Sequence, residues 1–89
     1  MKRVRLRITG HVQGVFFRDS AKRYADAQQL TGWVKNLPDG SLAAEVQGNN
    51  DAVRQFVDWC HMGPDSAQVD TVDVRATDLT AERTFEILG

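Results

Sequence analysis

The sequence is poor in cysteine and proline, with one and two such residues among 89, and it has no large excess of either charge. The single cysteine, Cys60, has no partner for an internal disulfide, and His11 and His61 alone cannot complete a structural zinc cluster with it. Eleven basic and twelve acidic residues give a net charge of -1. A disulfide framework, a structural zinc site and a nucleic-acid or membrane partner are therefore disfavoured.

Long apolar stretches are missing as well. Residues 1–10 are basic but lead into no apolar segment of the kind found in signal peptides. No later stretch approaches the length of a transmembrane helix. Together with the lone cysteine, this predicts a protein of the reducing cytoplasm.

The composition that remains is that of a globular protein. Hydrophobic residues make up 42% of the chain and charged residues 26%. A chain of 89 residues has room for one core, so we expect a single domain over residues 1–89. We also expect it to be a monomer.

Alternation of apolar and polar residues predicts five strands. In the first strand, Val4, Leu6 and Ile8 alternate with three arginines. The other extended segments cover residues 32–37, 42–47, 72–76 and 85–87. The turn sequence at residues 38–40 joins the second strand to the third as a hairpin.

Two segments place apolar residues three and four positions apart, which is the spacing of one helix face. The first runs from Phe17 to about Leu30, and its face consists of Phe17, Ala21, Tyr24 and Ala25. The face of the second consists of Val53, Phe56, Val57 and Cys60. Asn49 and Asn50 are suitable N-caps for this second helix, and Gly63 and Pro64 end it.

The resulting order, βαββαβ with a short extra strand, is typical of the ferredoxin-like α+β sandwich. In this fold two helices cover one face of an antiparallel sheet. Because each helix connects strands that run in the same direction, the first and second strands end at the same edge of the sheet. Arg18 and Asn36 are therefore predicted to be neighbours.

The stretch GHVQGVFFR, residues 10–18, has the features of an anion-binding loop. Gly10 and Gly14 allow unusual backbone conformations, and the loop leads directly into a helix whose first N–H groups lack partners. Arg18 adds a planar set of donors that suits phosphate oxygens. Neither GxxxxGK[ST] nor GxGxxG is present, so nucleotide binding is not indicated. Most glycine-containing connections bind nothing, so the residues alone leave both interpretations open.

The same stretch resembles the signature G-x-V-Q-G-V-x-[FY]-R of the acylphosphatase family at every specified position. GWVKNLPDGSLAAEVQG, residues 32–48, is similar to the second signature of that family, with Leu42 where valine is usual. Residues 63–64 and 85–87 also look like the family, so the resemblance covers nearly the whole chain.

The resemblance implies an enzyme that hydrolyses acyl phosphates, the mixed anhydrides of carboxylic acids and phosphate, without a metal, another cofactor or a phosphoenzyme. Arg18 would hold the phosphoryl group, or a phosphate or sulfate ion in its place, and Asn36 would orient the attacking water. Main-chain amides would cradle the same group, namely those of Val12, Gln13, Gly14, Val15, Phe16 and Phe17. An acyl phosphate has a good leaving group, so a neutral asparagine would suffice.

Other candidate residues have simpler interpretations. His11 is expected at the surface, and Cys60 is expected to be a small core residue. Trp59 is expected in the core or at its rim. Asp19 and Asp39 flank the proposed site, but their charge would repel a phosphate, so we expect neither to contact it.

Two alternatives to an enzyme remain. Arg3, Arg5 and Arg7 line the face of the sheet that the helices leave open, as in RNA-binding domains of this fold, but the aromatic residues that stack on bases are missing from the facing strand. Pairing of these arginines with Glu45 or Asp73 explains them without RNA. A non-catalytic domain that binds a small anion is the second alternative, and only Asn36 favours an enzyme over it.

Overall fold

A computed structural model describes all residues, 1–89, and contains two helices and one five-stranded sheet. The elements are β1 (Lys2–His11), α1 (Phe17–Ala27), β2 (Thr31–Asn36), β3 (Leu42–Gly48), α2 (Asn50–Cys60), β4 (Gln68–Thr77) and β5 (Phe85–Leu88). This order confirms the predicted ferredoxin-like α+β sandwich with a short extra strand.

The strands lie side by side in the order β4-β1-β3-β2-β5. The predicted antiparallel pairing holds for β1 to β4, whereas β5 pairs with β2 in parallel and makes the whole sheet mixed. In the register, Ile8 stands beside Leu42, and Leu42 stands beside Asn36. The ends of β1 and β2 therefore lie at one edge of the sheet, as predicted.

The core lies between the helices and one face of the sheet. Val4, Leu6 and Ile8 of β1 are buried in a cluster of 17 apolar residues that also includes the apolar faces of α1 and α2. Cys60 belongs to this cluster, and burial raises the pKa of its thiol far above the ordinary value. Trp59 lies at the rim, with its ring stacked on Tyr24 at 5.5 Å between centroids. The expectations for Cys60 and Trp59 are confirmed.

The first helix is shorter than predicted. It ends at Ala27 because Gln29 adopts a left-handed conformation with a φ of 59°. The N–H group of Leu30 then donates to the carbonyl oxygen of Ala25 at 2.8 Å, which closes the helix end. Leu30 lies beyond the helix but is still buried. The sequence pattern extended the helix to Leu30 because its side chain is apolar.

The predictions for the second helix and the fourth strand differ in accuracy. Asn49 caps α2 as predicted, since its side-chain oxygen accepts from the Asp51 N–H at 2.9 Å. Strand β4 is longer than predicted and begins at Gln68, because its pairing with β1 continues past an irregularity between Thr9 and Gly10.

Neither helix has the length and apolar character needed to cross a membrane.

The open face of the sheet carries the three arginines of β1. Arg3 and Arg5 pair with Glu45 at 2.7 and 3.0 Å, and Arg7 pairs with Asp39. Glu45 is thus a partner as predicted.

The other predicted partner, Asp73, stands opposite Arg7 in the register, yet its salt bridge is to Arg75 at 3.4 Å. Trp33 also lies on this face, with the charged groups of Arg5 and Lys35 at 5.5 and 5.3 Å from its ring. Its neighbours on the sheet are therefore cations.

Candidate active site

The connection between β1 and α1, residues 12–16, twice enters the left-handed region of the backbone. Gly14 has a φ of 73° and Phe16 a φ of 64°. Val12, Val15 and Phe17 are buried in the core, whereas Phe16 is exposed. The buried side chains fix the path of the loop and leave its main chain at the surface.

The main-chain N–H groups of residues 12–17 donate no hydrogen bond within the protein. The first N–H group of the following helix that does so belongs to Ser20, which donates to the carbonyl oxygen of Phe16 at 3.0 Å. Free N–H groups next to a helix N-terminus, where the helix dipole is positive, form a favourable site for an anion. The donors that sequence reasoning assigned to a phosphate cradle are therefore available.

Side-chain hydrogen bonds tie this loop to two other segments. Gln13 donates from Nε2 to the carbonyl oxygens of Leu37 and Ser41, at 2.8 and 3.0 Å, and so ties the loop to the β2–β3 hairpin. From the α2–β4 connection, the Ser66 hydroxyl donates to the carbonyl oxygen of Val15 at 2.8 Å. The loop is thus fixed from both sides before any ligand binds.

Gly10, near the end of β1, and Gly14, in the loop, have different roles. A Cβ atom on Gly10 would lie 2.2 Å from the main-chain oxygen of Gln68, so Gly10 allows β4 to approach β1 closely. A Cβ on Gly14 would meet no atom within 4 Å, so only its positive φ favours glycine there. Of the two, Gly14 is the one that shapes the open part of the loop.

Arg18 lies in the first turn of α1 and is half-buried. Its Nη1 atom donates to the main-chain oxygen of Gly89, directly after β5. Arg18 forms no salt bridge with an acidic side chain. One contact thus orients the guanidinium, and no aspartate or glutamate side chain neutralises its charge.

Asn36 is the last residue of β2, and its Oδ1 atom is buried without a hydrogen-bond partner. No other buried side-chain polar atom in the chain lacks a partner. Such an atom costs about 1–3 kcal/mol, so its presence asks for a reason. A hydrogen-bond donor supplied by a ligand or a water would remove this cost.

The loop, Arg18 and Asn36 line one cleft of about 280 Å³. The lining residues are Val12, Gly14, Phe16, Phe17, Arg18, Asp19 and Asn36. Every residue of the predicted site is among them except Gln13 and Val15. The side chain of Gln13 donates to the β2–β3 hairpin, and that of Val15 is buried in the core. Arg18 and Asn36 are therefore close in space, although they are far apart in the sequence.

The remaining titratable candidates lie elsewhere, with one exception. Asp39 accepts from the hydroxyl and the N–H of Ser41 and pairs with Arg7, and these contacts lower its pKa to about 2. His11 is exposed, and neither His11 nor Asp39 lines the cleft. Asp19 does line it, which agrees with its predicted position beside the site.

Sequence reasoning missed two contacts of this site. Gly89 is 71 positions away from Arg18, and no local pattern connects them. Ser66 lies in an irregular segment, where serine is common and carries no specific signal. Only the packing of β5 and of the α2–β4 connection against the loop brings these residues to it.

Comparison with known proteins gives a consistent result. A family model described as acylphosphatase matches residues 4–87 of the chain. An acylphosphatase of Thiobacillus denitrificans is 49% identical over 78 residues, which is 88% of this chain and 88% of that protein. An acylphosphatase of Roseiflexus sp. is 46% identical over 89 residues, covering 99% of this chain and 96% of that protein.

A solved structure shows the same likeness in three dimensions. The crystal structure of acylphosphatase from Bacillus subtilis is similar to this chain with a TM-score of 0.96 at 32% sequence identity. The match covers 100% of both chains.

Proposed function

The chain belongs to the acylphosphatase family, and on this premise we propose that it hydrolyses acyl phosphates by direct attack of water on the phosphoryl group. It is an enzyme of the class that hydrolyses acid anhydrides. In the proposed reaction the water oxygen forms a bond to phosphorus while the bond from phosphorus to the acyl oxygen breaks. The carboxylate leaves with the electron pair of that bond, and both hydrogens of the water remain with the dihydrogen phosphate product.

The phosphoryl group binds to the loop amides and to Arg18 in this proposal. The N–H groups of residues 12–17 have no other partner, and they stand at the positive end of the α1 dipole. The Arg18 guanidinium contributes charge-assisted hydrogen bonds worth about 1.5–3 kcal/mol each. These donors stabilise the equatorial oxygens, where charge accumulates in the transition state.

The attacking water is held by Asn36. Its unpartnered Oδ1 accepts one hydrogen of the water, which turns a lone pair of the water oxygen toward phosphorus. Because a carboxylate is a good leaving group, no side chain has to act as a strong base. The observation that carries the proposal is that Asn36, whose Oδ1 is buried without a partner, lines the same cleft as Arg18.

We propose further that no metal is required, because Arg18 and the amides supply the positive charge that a metal would otherwise bring to the phosphoryl oxygens. Residues 1–89 would act as one domain and as a monomer, since all the residues assigned a role lie in one chain. A cytoplasmic location fits Cys60, a thiol that is free and buried. A small acyl phosphate is then the substrate, and neither nucleic acid nor a membrane takes part.

Steady-state hydrolysis of acetyl phosphate tests these roles. Arg18→Ala is expected to lower kcat/KM about 100- to 1,000-fold. Asn36→Ala is expected to lower kcat about a hundredfold while the inhibition constant of inorganic phosphate changes little. Arg23→Ala, which removes an exposed arginine of the same helix, and Asn50→Ala, which removes an exposed asparagine, are the matched controls and should keep full activity.

Three results would contradict the proposal. Full turnover by Arg18→Ala would remove the phosphate role of Arg18, and full turnover by Asn36→Ala would remove the role of Asn36. Loss of activity with excess chelator would show that a metal is needed. Phosphate binding without any turnover by the wild type would favour the non-catalytic anion-binding alternative.

The alternative of RNA binding has little support from the open face of the sheet. Arg3 pairs with Glu45 and Glu82, Arg5 pairs with the same Glu45, and Arg7 pairs with Asp39. Three carboxylates thus balance the charge of these three arginines. Trp33 is half-buried and is flanked by two cationic side chains. Salt-dependent retention of the wild type on single-stranded RNA would reopen this alternative.

A further inference from the structure

Phe16 is an unusual residue in two independent respects. Its side chain is 74% exposed, although phenylalanine is a residue that folding normally buries. Its backbone is also left-handed, with a φ of 64°, which is uncommon for a bulky residue and costs about 1–3 kcal/mol. A single exposed apolar side chain needs no explanation, but one held at this cost on the lining of the cleft does.

The ring of Phe16 is the only exposed apolar side chain on that lining. The other two apolar lining residues, Val12 and Phe17, are 1% and 2% exposed, and their side chains belong to the core. The remaining side chains of the lining, those of Arg18, Asp19 and Asn36, are polar. An apolar part of a ligand in the cleft therefore has one side chain against which it can pack.

The position of the ring relates it to the acyl end of a substrate. If the phosphoryl group occupies the amides and Arg18, as the proposed function requires, the acyl group must extend from the phosphate toward the opening of the cleft. The N–H group of Phe16 belongs to the proposed amide cradle, and its exposed ring lines the same cleft. An acyl group that leaves the cradle can pack against this ring.

We propose that Phe16 determines acyl-group specificity and that the cleft favours acyl phosphates with an uncharged apolar or aromatic acyl group. This inference rests on the proposed function, since it concerns the other half of the same substrate. An aryl group packed on the ring buries apolar area on both partners and gains an aromatic contact, whereas a methyl group gains little. The expected gain in kcat/KM from this contact is about fivefold.

Two variants separate the effect of the aromatic ring from the effect of the left-handed backbone conformation. Asparagine tolerates a left-handed conformation, so Phe16→Asn removes the ring while keeping the shape of the loop. Phe16→Tyr keeps an aromatic ring at the same place. Leu79→Ala, which removes an apolar side chain that is 55% exposed and does not line the cleft, is the control for a general loss of apolar surface.

The measurement is kcat/KM for benzoyl phosphate and for acetyl phosphate with each variant. The ratio of the two values, relative to the wild-type ratio, cancels the difference in chemical reactivity between the anhydrides. Phe16→Asn should lower this ratio about fivefold. Phe16→Tyr and Leu79→Ala should keep the wild-type ratio.

The outcomes separate this inference from the function on which it rests. An unchanged ratio in Phe16→Asn overturns the inference. This includes an equal fall of kcat/KM for both substrates, because the ring would then act on the loop and not on the acyl group. Turnover of neither substrate by the wild type would overturn the proposed function itself.

Discussion

At the scale of single residues, Asp39 offers a test that does not depend on catalysis. Hydrogen bonds from Ser41 and the pairing with Arg7 lower its pKa from 3.8 to about 2, so the folded protein favours its charged form. The resulting stabilisation is complete above the unfolded pKa and is lost as the pH falls toward about 2. Asp39→Asn should therefore lower the melting temperature at neutral pH, and the difference from wild type should shrink below about pH 4.

Thermal unfolding followed across this pH range checks the expectation. Asp70→Asn is a suitable control, because Asp70 is exposed and forms no salt bridge. A difference between Asp39→Asn and wild type that stays constant down to about pH 2 would contradict the assigned cause.

Single residues also show what the sequence could and could not predict. Arg18 and Asn36 are identified by two signatures and by the order of the elements, and the structure places both on one cleft. Helical spacing placed Phe17 on the apolar face of the first helix, but no pattern indicated the exposure of Phe16, which has a left-handed φ. Asp19 lines the cleft, as its predicted position beside the site requires, whereas Asp39 was also expected to flank the site but pairs with Arg7 and does not line the cleft.

At the scale of elements, Gly10 near the end of β1 and Gly14 in the β1–α1 connection form a matched pair. Both have a positive φ, but only at Gly10 would an added Cβ meet the main chain of β4. Gly14→Ala should cost about 1–2 kcal/mol of unfolding free energy, which is the cost of the left-handed conformation. Gly10→Ala should cost clearly more, because β4 must also move away from β1.

Urea denaturation of the two variants provides the measurement. Equal losses of unfolding free energy in the two variants would mean that β4 and β1 can accommodate a Cβ at residue 10 without a further cost. A fall in activity in Gly14→Ala that exceeds its loss of stability would point to the shape of the amide cradle, since Gly14 lines the cleft.

Local sequence patterns predicted the existence of every element better than its limits. The end of α1 depends on the left-handed Gln29, a residue type that gives no signal for that conformation. The early start of β4 depends on its partner β1, because residues 68–71 alternate too weakly to indicate a strand by themselves. Limits set by a neighbouring element are not visible in a local pattern.

At the scale of the whole molecule, Arg3 joins two distant parts of the chain. Its side chain is 1% exposed and pairs with Glu45 at 2.7 Å and with Glu82 at 2.5 Å. Glu82 lies in the connection from β4 to β5, which thereby packs against the open face of the sheet. Arg3→Ala would leave both carboxylates without this partner, and we expect a loss of about 3 kcal/mol of unfolding free energy.

Arg5→Ala is the matched control, since Arg5 pairs with the same Glu45 but has a side chain that is 54% exposed. Its loss should stay below about 1 kcal/mol. Urea denaturation of both variants decides the point, and equal losses would show that burial of Arg3 adds nothing to the pair. Faster proteolysis within residues 78–84 of Arg3→Ala would be an independent sign that the connection has been released.

The contact between Arg18 and Gly89 has a consequence for the order of folding. It joins two positions 71 residues apart, and it forms only after β5 has docked beside β2. Because β5 pairs with β2 alone, it can dock only after β2 has joined the sheet. A folding intermediate that already holds both helices and the first four strands would still have a free guanidinium at its cleft. Recovery of catalysis during refolding should therefore report the docking of the final strand, later than any signal from secondary structure.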